Sequence, residues 1–224
     1  MEASVHLWFA TAAFIATHFV TSTPLRDRMV RGLGQKNYVI VYSLVAFATL
    51  GWMIWAYARA PQEPLWSGWR ELPAWVMPVA FVLMACGLFA RNPTLVGADR
   101  LLRHPDPARG IIRVTRHPIM WSFMLWSGVH ILARGEMKAT VFFGGLFAVA
   151  FLGTLLMDQR KAKTLGDNWK RFAAVTSHIP FVAIAQGRNR FDANEIGWRN
   201  PLLGLALYAL FFWGHAWMFG VRPT

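Results

Sequence analysis

Residues 137–157 read MKATVFFGGLFAVAFLGTLLM, 21 consecutive positions with a single charge, Lys138, at the leading edge. A helix needs roughly 20 mostly apolar residues to cross the hydrocarbon core of a bilayer, so this run reads as an integral membrane span. Five further stretches qualify in the same way: 3–22, 37–58, 73–92, 117–134 and 200–220. The expectation is an all-α fold, an integral membrane helical bundle of about six transmembrane helices in one domain over 1–224, with the lipid bilayer as its solvent. The first stretch lacks a basic leader and carries Glu2, which makes it a span rather than a cleaved signal peptide.

Composition supports this. Of 224 residues 55% are hydrophobic, 17 are Phe and 12 Trp, and only 15% are charged, where soluble domains carry roughly a quarter. A formal charge of +12 would suggest nucleic acid in a soluble protein, but its distribution says otherwise. Segments 23–36, 91–116 and 158–199 hold 18 of the 23 Lys and Arg. Basic residues concentrate on the cytoplasmic side, so the chain is expected to be multi-pass with both termini outside, in the cytoplasmic membrane if bacterial, and to bind no nucleic acid. Trp66, Trp69, Trp75, Trp198 and Trp217 fall near span ends, as an aromatic interface belt requires. The single cysteine, Cys86, excludes an internal disulfide framework and a paired-cysteine zinc site and reads as a small core residue.

Two cytoplasmic segments are long enough to hold structure. In 158–175 the apolar Leu165, Trp169, Phe172 and Val175 recur at helical spacing among charges, predicting an amphipathic helix along the membrane surface, broken at Gly166. Residues 176–199 mix Pro, Gly and both polarities and read as a loop or re-entrant segment. Gly144, Gly145 and Gly153 suit close helix contact.

Seven histidines carry the chemistry: His6, His18, His104, His117, His130, His178 and His215. His104 and His178 lie in loops and read as solvated or locally bonded. The other five lie on the spans, where ionisable groups are costly and face a bundle interior, a cavity or a ligand. Acids fall in loops or at span ends, which argues against a carboxylate proton relay and against hard-cation sites. Neutral imidazole in an aromatic-rich apolar bundle is a natural axial ligand for haem. At 1.5 Å per residue, His18 and His117 lie within about 8 Å of the cytoplasmic boundary and His6, His130 and His215 roughly 20–25 Å from it. Ligands of one iron share a level, which favours His130 with His215 or His6, and His18 with His117.

Four stretches then resemble a known family: HFVTSTPLRDRMVRGLGQKNY from His18, RVTRHPIMWSFMLWSGVH to His130, LGDNWKRFAAVTSHIPFVAIAQGR, and HAWMFG from His215. In order and in combination they resemble the NnrU family, which includes bacterial proteins associated with denitrification and the 15-cis-zeta-carotene isomerases. The resemblance implies haem b held by His18 and His130, the metal ligands and catalytic residues; His117 and His215 stand as support or alternates on the geometry above. It implies a hydrophobic polyene substrate whose 15-cis double bond is isomerised with no net redox change, and an electron donor that reduces the haem. Arg116 is assigned to a haem propionate at the cytoplasmic edge. The plant isomerases place a cysteine three residues before the WSGVH histidine; this chain has Ser127. The level of His18 differs from that of His130 by roughly 12 Å, so this pairing and the depth ranking disagree.

Two alternatives stand beside the isomerase. One is a haem-binding accessory protein linked to denitrification and nitric oxide reduction. The other rests on the fainter similarity of RHP at a span entry, followed by LGDNWKRF, to membrane methyltransferases that bind S-adenosylmethionine; there Arg116 and His117 would line the cofactor site. The bland reading of RHP is a span start, with Pro118 in the first helical turn and Arg116 on the cytoplasmic side.

Overall fold

A computed structural model describes residues 2–20 and 23–223. Among these the chain is all-α, with one isolated bridge, between Pro64 and Glu136, and no strand. The helices are α1 (Glu2–Phe19), α2 (Pro24–Arg59), α3 (Leu72–Phe89), α4 (Ile111–Val114), α5 (Pro118–Arg134), α6 (Met137–Val175), α7 (Val182–Ala185), α8 (Ala193–Ile196) and α9 (Arg199–Phe219). Four of them, α2, α3, α6 and α9, are long and apolar enough to cross a membrane. The most apolar windows of α2 and α9 are only 11% and 6% buried, and residues such as Phe47, Leu210, Trp213 and Trp217 stand exposed. A helix that is apolar all round belongs in lipid rather than water. All five predicted belt tryptophans are exposed as well.

The chain divides into two compact units. One comprises residues 1–70 and 127–157, the other 71–126 and 158–224. In the first, α1 packs along α2. The loop expected over 23–36 is instead helix, continuous with the span except at Gly34, whose φ of 77° breaks it. That conformation is open to glycine at little steric cost.

In the second unit α3 packs along α9. Gly204 allows this contact: a Cβ there would meet the Val82 Cα at 2.7 Å. Helix α3 ends at Phe89, where the buried Asn92 side chain donates to the Gly87 carbonyl (3.0 Å) and Pro93 follows, a residue that cannot continue the helix. Cys86 is buried, as expected.

The amphipathic segment requires a correction. Helix α6 runs past Met157 without interruption and breaks only at Gly166 (φ 52°, ψ −127°). Its apolar face is not spent on a membrane surface. Trp169 and Phe172 are 3% and 0% exposed in a core with Leu83, Cys86, Leu102, Ile111, Ile112 and Val114, and Leu165 and Val175 pack against it. Each such large side chain contributes roughly 1.5–3 kcal/mol on burial relative to exposure to water. The stretch 176–199 is a loop carrying the short helices α7 and α8. Of the three glycines expected to ease helix contact, Gly145 does so, since a Cβ there would meet the Thr11 methyl at 2.5 Å; Gly144 and Gly153 face open space.

Candidate functional site

The RHP stretch sits within a polar cluster of the second unit. Pro118 opens α5 at the one position where a missing N–H is harmless. Just before it the backbone is zipped to the following loop: the Arg116 N–H donates to the Ser177 carbonyl (3.0 Å) and the Phe181 N–H to the Val114 carbonyl (2.8 Å). The His178 carbonyl accepts from both the Thr115 hydroxyl and the Trp121 indole N–H, each at 2.7 Å.

Within this frame one carboxylate holds a guanidinium and an imidazole. Asp158 Oδ2 accepts from Arg116 Nε (2.8 Å) and Nη2 (2.7 Å), while Oδ1 lies 2.7 Å from His117 Nε2. The third guanidinium nitrogen of Arg116 donates to the Thr176 carbonyl at 3.2 Å. His117 is 1% exposed, and its Nδ1 has no hydrogen-bond partner among the described residues. A carboxylate on one ring nitrogen fixes the imidazole's orientation and tautomer. The His178 ring lies 5.6 Å from that of His117. Burial first, and then the neighbouring His117 and Arg116, pull the His178 imidazole below its ordinary value, against an opposing pull from Asp158.

Arg116 is thus committed to an internal partner, and a haem propionate there would compete with Asp158. The acid of this cluster, Asp158, lies on α6 one residue beyond the expected span, at a span end, where the sequence places the acids; its partners stand 41 and 42 positions away. His178, read as a loop residue, belongs to this cluster too.

The first unit holds His6, His18 and His130. His18 Nδ1 lies 2.8 Å from the Phe14 carbonyl, and its ring is flanked by Phe14 (4.2 Å) and Tyr42 (6.0 Å). His130 lies 4.9 Å from Phe143, whose ring is 6.2 Å from Tyr57. His6 meets Trp55 edge-on at 6.2 Å. Along α2 these contacts rank depth. His18 stands beside Tyr42, and His130 is linked through Phe143 to Tyr57, about 22 Å further along the helix; His6 stands two residues from Tyr57, about 3 Å. His215, on α9, has Nδ1 2.7 Å from the Val221 carbonyl. No group of three or more His, Cys, Asp or Glu able to hold a metal ion occurs among the described residues.

A second polar knot went unread in the sequence. Arg113, 9% exposed, makes a two-pronged contact with Glu195 (Nε–Oε2 2.7 Å, Nη2–Oε1 2.9 Å) and also reaches Asn189 and Asp106, both at 2.8 Å. The Gly110 N–H donates to Glu195 Oε2 at 2.9 Å. The Arg113 guanidinium and this N–H hold the Glu195 carboxyl down at about 2.

Comparison with known proteins adds the following. The chain is 39% identical over 79 residues to the chloroplastic 15-cis-zeta-carotene isomerase of Arabidopsis thaliana, an alignment covering 35% of this chain and 22% of that protein. It is 30% identical over 103 residues to the Zea mays protein of the same name, covering 45% and 28%. The alignments therefore span about a quarter of the length of those relatives. No solved structure matches the chain. The NnrU protein family matches residues 6–223, nearly the whole chain and every segment whose motifs carry the resemblance, and the chain belongs to the NnrU family.

Proposed function

We propose that the chain is a membrane isomerase of a long polyene, acting on the 15-cis double bond of zeta-carotene with haem b as its iron centre. The observation that carries the reading is the 39% identity to a 15-cis-zeta-carotene isomerase inside a family match that runs from 6 to 223. The proposal includes six crossings, α1 and α5 completing the four long apolar helices, with both termini outside.

The residues present fit haem. A neutral His18 whose Nδ1–H donates to the Phe14 carbonyl is the tautomer with its lone pair on Nε2, the arrangement usual for a metal-bound imidazole. Phe14 and Tyr42 around His18, and Phe142, Phe143 and Tyr57 around His130, supply the flat apolar surface that a macrocycle and a polyene both require. His18 and His130 would hold the iron, and the haem, kept reduced by an electron donor, would supply a centre able to lower the barrier to rotation about the conjugated double bond. The protein's own part is to hold the imidazoles, keep water out and let the substrate enter laterally from lipid. Ser127, three residues before His130 and fully buried, offers no thiolate as an exchangeable ligand.

His130 is the fixed member of the ligand pair. His18 is its partner by residue-for-residue resemblance, and His6 competes by level along α2. Absorption spectra of the purified protein separate them: His130→Ala abolishes the haem Soret band, and only the true partner's alanine variant changes the oxidised and reduced spectra as strongly. Function is tested in cells that accumulate tri-cis-zeta-carotene in the dark, where expression converts it to the 15-trans isomer. Full haem loading without conversion refutes the isomerase and leaves a haem-binding accessory role. A protein that cannot be loaded with haem at all sinks the haem-dependent mechanism.

A further inference from the structure

Where α3 ends and α9 begins, the second unit has a cavity of about 270 Å³. Its wall is of two kinds. Cys86, Ile111 and Ile196 give it an apolar floor, and Arg91, Arg109 and Asn200 give it a polar rim. Glu195 also lines it, but that carboxylate is already bound by the Arg113 guanidinium and the Gly110 N–H, and Asp106 on the same guanidinium is spent likewise. Two cations line the rim. Arg109 is half exposed and forms a longer ion pair with Glu195, Nε to Oε1 at 3.6 Å, looser than the 2.7 Å contact of Arg113. Arg91 is exposed, and no acidic side chain pairs with it among the described residues.

We propose that this cavity binds the phosphate headgroup of an anionic phospholipid, with Arg91 and Arg109 on the phosphate, Asn200 on its oxygens, and an acyl chain running out over α3. Three observations choose a lipid over a free anion. The cavity lies at the ends of two helices apolar and long enough to span a bilayer, which is where headgroups sit. Leu88 and Phe89, 47% and 64% exposed at the end of α3, continue the apolar floor outward, a surface that a free phosphate would leave uncovered. The flanking segments hold most of the chain's basic residues, and such clusters draw anionic lipid to the membrane face that carries them. Arginine's planar fork matches phosphate oxygens two at a time.

The test is native mass spectrometry of the full chain in mild detergent, titrated with phosphatidylglycerol, phosphatidylcholine or inorganic phosphate. Wild-type protein is expected to hold phosphatidylglycerol in preference to phosphatidylcholine. Arg91→Gln with Arg109→Gln is expected to weaken that binding by about tenfold or more. Arg28→Gln with Arg31→Gln, an equal charge change at exposed positions on α2, is expected to leave it unchanged. The proposal is overturned by wild-type protein that retains no anionic lipid, by equal retention of the two lipids, by undiminished binding in the Arg91/Arg109 variant, or by displacement of the lipid with millimolar inorganic phosphate. Circular dichroism of the double variant confirms that any loss is not unfolding, and both arginines are exposed enough to be replaced without opening the core.

Discussion

Asp158 is the residue on which the RHP site turns. Two donors of Arg116 share one of its oxygens and His117 occupies the other, so Asp158→Asn leaves a guanidinium that is 15% exposed without its counter-charge. Removing one member of a buried pair costs about 3–5 kcal/mol, and the thermal midpoint in detergent is expected to fall by several degrees or more. Arg116→Ala is expected to destabilise the same cluster, so a change in its haem content counts for a propionate contact only if Asp158→Asn does not reproduce it. Glu195 makes a prediction about pH. Its carboxyl is lowered from an ordinary 4.5 to about 2, so the unfolded chain takes up the proton first. The stabilisation it brings is complete above about pH 4.5 and is lost as pH falls toward 2. Glu195→Gln is expected to flatten that acid limb in a midpoint-versus-pH series and to lower the midpoint at pH 7. At this scale the sequence yielded Arg116 and His117, because RHP stands out at a span entry, but not their partners. Asp158 and His178 look like ordinary loop residues until folding closes separations of 41 and 61 positions.

At the scale of elements, the apolar runs were legible because spanning a bilayer demands length and composition and little else. Their ends were not. Helices α2 and α6 both continue through segments that charge marks as outside the membrane, since helix formation ends only where the backbone does, at Gly34 and Gly166. The apolar stripe of 165–175 is legible as a stripe, but its partner, the protein core, is not, because a face that suits lipid equally suits a protein core. Packing of α3 on α9 gives a direct test. Gly204→Ala sets a methyl against the Val82 backbone, an overpacking expected to cost about 1–3 kcal/mol. Gly153→Ala, where a Cβ meets nothing within 4 Å, is expected to be neutral or to stabilise by up to about 1 kcal/mol through helix propensity. Thermal midpoints of the two variants in one detergent check both signs, and equal effects would mean that Gly204 is not a contact point.

For the whole molecule, the proposed orientation rests on charge. With 18 of 23 basic residues in segments 23–36, 91–116 and 158–199, the six proposed crossings would set these segments on one face and both termini on the other. Four of the helices have the length and composition to span; α1 and α5, at 18 and 17 residues, bring the proposed total to six. If either of these failed to cross, segments joined by it would no longer alternate as the charges require. Labelling by a membrane-impermeant maleimide decides the matter, since the only native thiol, Cys86, is buried and can be replaced by alanine. In that background Glu63→Cys and Arg222→Cys are expected to label in intact cells, whereas Arg28→Cys, Arg103→Cys and Asp167→Cys are expected to label only after permeabilisation. All five positions are exposed, so protection reports the bilayer and not the fold. Labelling of Arg103→Cys and Glu63→Cys to the same extent in intact cells would remove the six-span arrangement and, with it, the leaflet in which the Arg91 and Arg109 lipid site is expected to face.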